Sequence, residues 1–141
     1  MFAGAFDNWV KNSKLAIESV MNISDTELLE LKGYNRNQVS LLMNACDVIL
    51  ITSFSEGSPQ VIKEAMACNL PIVSTDVGDV KEVIGNTEGC YITSFDPKDV
   101  AEKIKMALDF GKRTNGRENI KHLEINIIAK RIIKLYNKVL A

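Results

Sequence analysis

Short β-branched apolar runs alternate along this chain with stretches in which apolar residues return every three or four positions. The clearest run, Asp47-Val48-Ile49-Leu50-Ile51-Thr52, has the length and composition of a buried strand. Similar reasoning predicts strands over residues 1–5, 27–32, 71–75 and 90–93, and helices over 12–21, 36–45, 59–68, 79–84 and 97–110. Asp96 is placed to cap the helix that begins at Pro97, and Gly111 to end it. Alternation of this kind predicts an α/β fold, a mostly parallel sheet with helices on both faces.

The last segment, 118–141, sets Ile125, Ile128, Ile132, Leu135 and Val139 at spacings of three and four, with Lys121, Lys130, Lys134 and Lys138 elsewhere. It predicts a terminal amphipathic helix. The expected partner is the domain's own sheet or flank, the alternative a bridge to another domain. Lys112 and Arg113, with Arg117 soon after, read as a solvated turn behind Gly111.

Composition narrows the picture. A chain of 141 residues with 46% apolar content is expected to form one domain, 1–141, with a core of its own. The formal charge of -1, with Lys and Arg scattered, gives no electrostatic reason to bind nucleic acid. Cys46, Cys68 and Cys90 are widely spaced, without a Cys-x-x-Cys pair or a histidine cluster, and are expected to be reduced core residues. His122, the one histidine, lies outside every motif and is a poor candidate base. With neither a bilayer-length apolar run nor a basic-then-apolar leader, the chain is expected in the cytoplasm.

Chemistry concentrates behind the strand at 47–52, in Glu56-Gly57-Ser58-Pro59-Gln60-Val61-Ile62-Lys63-Glu64. Ser58 is expected to cap the following helix and Pro59 to open it, since proline wastes no N–H there. Gly57 admits a close approach to the backbone, and the helix start favours an anion, so a phosphate fits beside Gly57 and Ser58. Glu64 lies roughly 7 Å along the helix from Pro59. Two carboxylates thus flank the phosphate position, and carboxylates accept hydrogen bonds from vicinal diols. A ligand with hydroxyl-rich groups on both sides of phosphates is a nucleotide sugar.

These residues resemble the group 1 (family 4) retaining glycosyltransferases of GT-B architecture. The match is carried by Ser53-Phe54-Ser55-Glu56-Gly57-Ser58-Pro59 and its continuation through Glu64-Ala65-Met66-Ala67 to Pro71-Ile72-Val73, then by Thr75-Asp76-Val77-Gly78-Asp79 with Glu82 and Ile84. Asp79 stands where the family usually has a second glycine. The opening residues, Phe2-Ala3-Gly4-Ala5 through Lys11, align with the family's first strand, glycine loop and lysine, with Ala5 where an arginine is usual.

The resemblance implies the Rossmann-like carboxy-terminal, donor-binding half of a GT-B enzyme, one strand-helix unit short between Lys11 and Asp47. It makes Glu56 and Lys11 the catalytic residues, Glu56 contacting the donor hexose and Lys11 the diphosphate. Glu64 falls on the ribose diol, and Gly4, Gly57, Ser58, Pro59 and Gln60 complete the donor site, with Gly33 and Tyr34 beside the base. Gly78 and Glu82 are weaker candidates near the sugar.

The implied substrate is a nucleotide-diphosphate sugar of open base, with no metal and no other cofactor. The implied partner is an amino-terminal acceptor domain, to which any contact with the inner face of a membrane would belong. The expected function is hexosyl transfer with retention in polysaccharide or glycoconjugate biosynthesis, with little activity from this chain alone. Alternatives are a non-catalytic nucleotide-sugar binding or regulatory module and a nucleotide-sugar epimerase of related fold. The Glu-Ala-Met-Ala block fits the transferases better.

Overall fold

A computed structural model describes residues 1–21 and 23–140. Among these residues, three parallel strands, β1 (Ile49–Ile51), β2 (Ile72–Thr75) and β3 (Cys90–Thr93), lie in the order β1-β2-β3. Leu50 is in register with Val73, and Val73 with Tyr91. Two further segments extend the sheet by single parallel bridges, Phe2 pairing with Leu50 on one side and with Glu30 on the other. Main-chain bonds continue that pattern, Ala3 N–H donating to Leu50 (2.9 Å) and Phe2 N–H to Leu29 (2.8 Å). The spatial order is therefore 29–31, 1–3, β1, β2, β3, all parallel, and the order in which the chain adds segments to the sheet switches sides between 1–3 and β1.

Among the described residues, seven α-helices connect or follow these segments: α1 (Ser13–Val20), α2 (Arg36–Ala45), α3 (Gln60–Ala67), α4 (Val80–Ile84), α5 (Pro97–Asp109), α6 (Gly116–Asn119) and α7 (Ile125–Leu140). α2 begins in a capping box, the Asn35 side chain accepting from Gln38 N–H while the Gln38 side chain accepts from Asn35 N–H. Asp96 accepts from Lys98 N–H at the start of α5, and Gly111 turns the chain away at φ 63°. Both follow the sequence expectation.

The period of two along β1 sorts the core. Ile49 and Ile51 face a cluster with Met43, Ile62, Met66, Leu70, Ile72 and Val80, beneath α2, α3 and α4. Val48 and Leu50 face the other side, with Phe2, Leu15, Ala16, Val73, Val100 and Ile104 beneath α1 and α5. Burying one such aliphatic side chain contributes about 1.5–3 kcal/mol, so the two-faced sheet is where stability concentrates. This is the α/β, Rossmann-like layering that the sequence predicts.

Three expectations change. The strands over 1–5 and 27–32 shrink to bridges, because Gly4 leaves the ladder as the chain turns and the 29–31 segment is an edge with one neighbour. The terminal segment is not one helix packed on its own domain: α6 and a 3₁₀ turn (Lys121–Leu123) precede α7, which has no buried residue. Leu135, Tyr136 and Val139 are all exposed. Nor is the Lys112–Arg113 region simply solvated, since Arg113 donates to the main-chain carbonyls of Met43 (2.9 Å) and Asn44, closing the carboxyl end of α2.

Candidate active site

Sheet order reverses between the 1–3 segment and β1, and the region beyond the carboxyl ends of the strands at such a reversal is where open α/β sheets bind ligands. Two loops meet there. One follows the 1–3 segment and folds into a 3₁₀ turn (Trp9–Lys11) capped by the Asn8 side chain. The other follows β1 and carries Ser53 to Pro59. They are stitched together by Phe54 N–H donating to the Val10 carbonyl (2.9 Å) and by the Thr52 hydroxyl, 2.9 Å from the carbonyls of both Lys11 and Asn12. Thr75, at the end of β2, donates to the Ser53 carbonyl (2.8 Å) and fixes the second loop from the other side.

This framing brings Lys11 and Glu56 together. Lys11 Nζ donates to Glu56 Oε1 at 2.6 Å, and the Ser53 hydroxyl donates to the same oxygen at 2.7 Å. Their side chains are 24% and 17% exposed, so each charge is held by a partner rather than by bulk water. Gly4 makes the pair possible: a Cβ there would lie 2.7 Å from Lys11 Cγ, so the lysine stem occupies the space a side chain would take.

The helix start is built differently from the sequence expectation. Ser58 does not cap α3; Pro59, buried and extended at ψ 117°, takes the cap position and no side chain caps the helix. The Ser58 hydroxyl instead donates to Asp79 Oδ2 at 2.6 Å. The cause is the neighbouring turn, where Gly78 at φ 56° comes so close that a Cβ would lie 2.1 Å from the Gly57 carbonyl oxygen. That approach brings Asp79 beside Ser58 and Lys63, whose Nζ is 3.0 Å from Asp79 Oδ2. Burial raises the Asp79 pKa, but the hydrogen bonds from Ser58 and Lys63 and the Lys63 charge outweigh it, leaving it below the ordinary aspartate value.

The remaining candidates surround this centre. Gly57 is exposed with open space where a Cβ would project, and Gln60 is exposed in the first turn of α3. Glu64 is exposed on α3, with no side-chain hydrogen bond or ion pair among the described residues. Gly33 has φ 79° and open space above it, and Tyr34 is 40% exposed. Among the described residues, no hydrogen bond or ion pair joins those two to Lys11 or Glu56, although neighbouring Lys32 pairs with Asp7 of the first loop (2.7 Å). Glu82 is exposed on α4, and His122 lies far along the chain in the 3₁₀ turn before α7. Ser53, the Gly57–Gly78 approach and the Lys63–Asp79 pair are the parts that sequence reasoning missed. The Ser53-x-x-Glu56 spacing was the legible signal for the first.

A row of exposed aromatic rings, Trp9, Phe54 and Phe95, borders the site, with centroids 6.4 Å and 5.7 Å apart along the row. A recess of about 480 Å³ lies elsewhere, among Met1, Leu28, Cys46, Val48 and Leu108 at the amino ends of the strands, and includes none of the candidate residues. Strand polarity decides against it as the reactive centre. Among the described residues, no group of three or more His, Cys, Asp or Glu side chains is placed to hold a metal ion.

The structure is thus a parallel α/β layer with a lysine–carboxylate pair on the loops at its switch point. The chain belongs to the glycosyl transferases group 1 family, whose model matches residues 1–109. It is 34% identical over 114 residues to the N,N'-diacetylbacillosaminyl-diphospho-undecaprenol alpha-1,3-N-acetylgalactosaminyltransferase of Campylobacter jejuni, covering 77% of this chain and 30% of the relative. An uncharacterized glycosyltransferase of Methanocaldococcus jannaschii is 37% identical over 84 residues, 59% of this chain and 23% of its own length. A D-inositol 3-phosphate glycosyltransferase of Mycolicibacterium smegmatis is 28% identical over 103 residues, 72% and 24% respectively. The chain thus spans less than a third of the length of each of these relatives.

Proposed function

We propose that this chain is the nucleotide-diphosphate-sugar-binding domain of a retaining hexosyltransferase of GT-B architecture, acting in polysaccharide or glycoconjugate biosynthesis. The observation that carries the reading is the Lys11–Glu56 pair, held by Gly4 and Ser53 at the point where sheet order reverses. In the free chain the two charges satisfy each other. A diphosphate reaching this pair offers Lys11 a more highly charged partner, which releases Glu56 to accept from hexose hydroxyls. Glu64 accepts from the ribose diol, a role its exposure on α3 leaves open to it.

Lys11 then stabilises the negative charge that grows on the diphosphate as the sugar bond breaks, which is this domain's share of catalysis. The name of the Campylobacter relative describes transfer to a diphospho-undecaprenol-linked sugar, so a lipid-linked acceptor is the first class to test. Such an acceptor would be oriented by an amino-terminal acceptor domain, with the enzyme at the inner face of a membrane.

Calorimetry of the folded chain against uridine, guanosine and adenosine diphosphate sugars tests the reading. Binding of at least one, weakened about tenfold or more in Lys11→Gln, supports it. No binding at millimolar concentration by a demonstrably folded chain overturns it. Ala5 favours one second reading, a non-catalytic binding module, because it leaves Lys11 as the one cation of the first loop, residues 4–12. Transfer activity from this chain joined to an acceptor domain, with Ala5 unchanged, excludes that reading.

A further inference from the structure

We infer that Lys63 is a second phosphate-binding cation of this site, held by Asp79 until a diphosphate takes it over. The inference rests on the nucleotide-sugar reading above and adds to it a residue and an internal competitor. Lys63 lies in the first turn of α3, is 18% exposed, and folds its Nζ back past the helix start to the Ser58 hydroxyl and to Asp79 Oδ2. A positive group over the amino end of a helix opposes the helix dipole, so this placement requires an anion. In the free chain the anion is the Asp79 carboxylate.

Asp79 fills that role incompletely. Ser58 and Lys63 both donate to Oδ2, whereas Oδ1 is buried and has no hydrogen-bond partner. A buried carboxylate oxygen without a donor is costly, so the contact is cheap to exchange. No side chain caps α3, which leaves N–H groups at its start without a side-chain acceptor. Gly57, with open space above it, leaves the approach clear.

A phosphate group has more acceptor oxygens than a carboxylate and suits the same donors: Ser58 Oγ, Lys63 Nζ and the first amides of α3. Lys11 alone sets one positive charge against a diphosphate that carries at least two negative ones. Lys63 supplies the second when its ammonium turns from Asp79 to phosphate. Asp79, still negative and adjacent, then works against the bound diphosphate and lowers its affinity.

Titration of the folded chain with UDP, GDP and ADP, read by calorimetry, tests this in wild type, Lys11→Gln, Lys63→Gln, Lys63→Arg, Asp79→Asn and the Lys63→Gln/Asp79→Asn pair. The expected result is at least one nucleotide bound by wild type, about tenfold or more weaker in Lys63→Gln, recovered in Lys63→Arg, and strengthened in Asp79→Asn. The double variant stays weaker than Asp79→Asn, which a purely structural Lys63–Asp79 pair would not produce. If Lys11→Gln weakens binding but Lys63→Gln stays within twofold of wild type, the inference is wrong and the nucleotide-sugar reading stands. If no nucleotide and no nucleotide sugar binds the folded wild type, both fall. Should Lys63→Gln fail to fold, Asp79→Asn decides alone: tighter binding supports the inference, and equal or weaker binding overturns it.

Discussion

Glycine 78 carries more of the site than its size suggests. At φ 56°, with the Gly57 carbonyl where its Cβ would stand, Gly78→Ala is expected to destabilise the fold by at least about 2 kcal/mol in a denaturant titration. Burial pushes the Cys90 thiol up to about 11, against a small opposing effect of the Ile72 backbone bond. Roughly one such thiol in a thousand is ionised at pH 8, so a thiol reagent should modify Cys90 far more slowly in the folded than in the unfolded chain. Asp99 titrates in the opposite sense. The Ser94 main-chain N–H and then its hydroxyl hold the Asp99 carboxyl below the ordinary value, with burial opposing and the Thr93 hydroxyl assisting. A depressed carboxyl stabilises the fold above its unfolded pKa near 3.8 and loses that contribution as pH falls through the folded value. Thermal melts below about pH 4 should therefore fall less steeply in Asp99→Asn than in wild type. Single residues were legible as candidates by residue type: Glu56 and Lys11 were readable as charged site residues, and the structure pairs them. Ser58 was misread because a serine before proline has two uses, and the choice depends on Asp79, twenty-one positions away.

Helices were more legible than strands, for a physical reason. The capping signals of α2 and α5 are local in sequence, so their starts at Arg36 and Pro97 follow from nearby residues. A strand exists only by its neighbours, and the 29–31 segment has one, so its apolar pattern yields a bridge instead of a ladder. Arg113 shows the same limit, because nothing beside it in sequence announces the end of α2 as its partner. Arg113→Ala should cost about 1 kcal/mol, measured as a shift in the denaturation midpoint, by leaving the Met43 and Asn44 carbonyls without their donor. α7 makes the converse point. Its amphipathic period was plain, but periodicity states that a face will be covered and not by what. With no residue of α7 buried, removing 125–141 should leave the melting temperature of the remaining domain nearly unchanged. A large loss would show that α7 supports this domain after all.

At the scale of the molecule, fold and family place a group 1 glycosyltransferase domain whose pair of site loops meets at the reversal in sheet order. The reversal itself was not legible, since strand order depends on which segments pair in space. Its consequence is that Lys11 and Glu56, forty-five positions apart, become one ion pair. Because the chain covers 30% of its Campylobacter relative, the proposed transfer chemistry is expected to need more than these residues. Acceptor-dependent sugar transfer by the 141-residue chain alone should be absent or slight in a radiolabel assay. The central claim is more local, that a sugar nucleotide binds at the Lys11–Glu56 pair. Amide chemical shifts of the isotopically labelled chain, followed during titration with uridine, guanosine and adenosine diphosphate sugars, test it most directly. One of these sugars should move the resonances of Gly4, Lys11 and residues 56–64 together, and Lys11→Gln should abolish that response. Shifts confined to the recess around Cys46 and Leu108, or none at all at millimolar ligand, would contradict it.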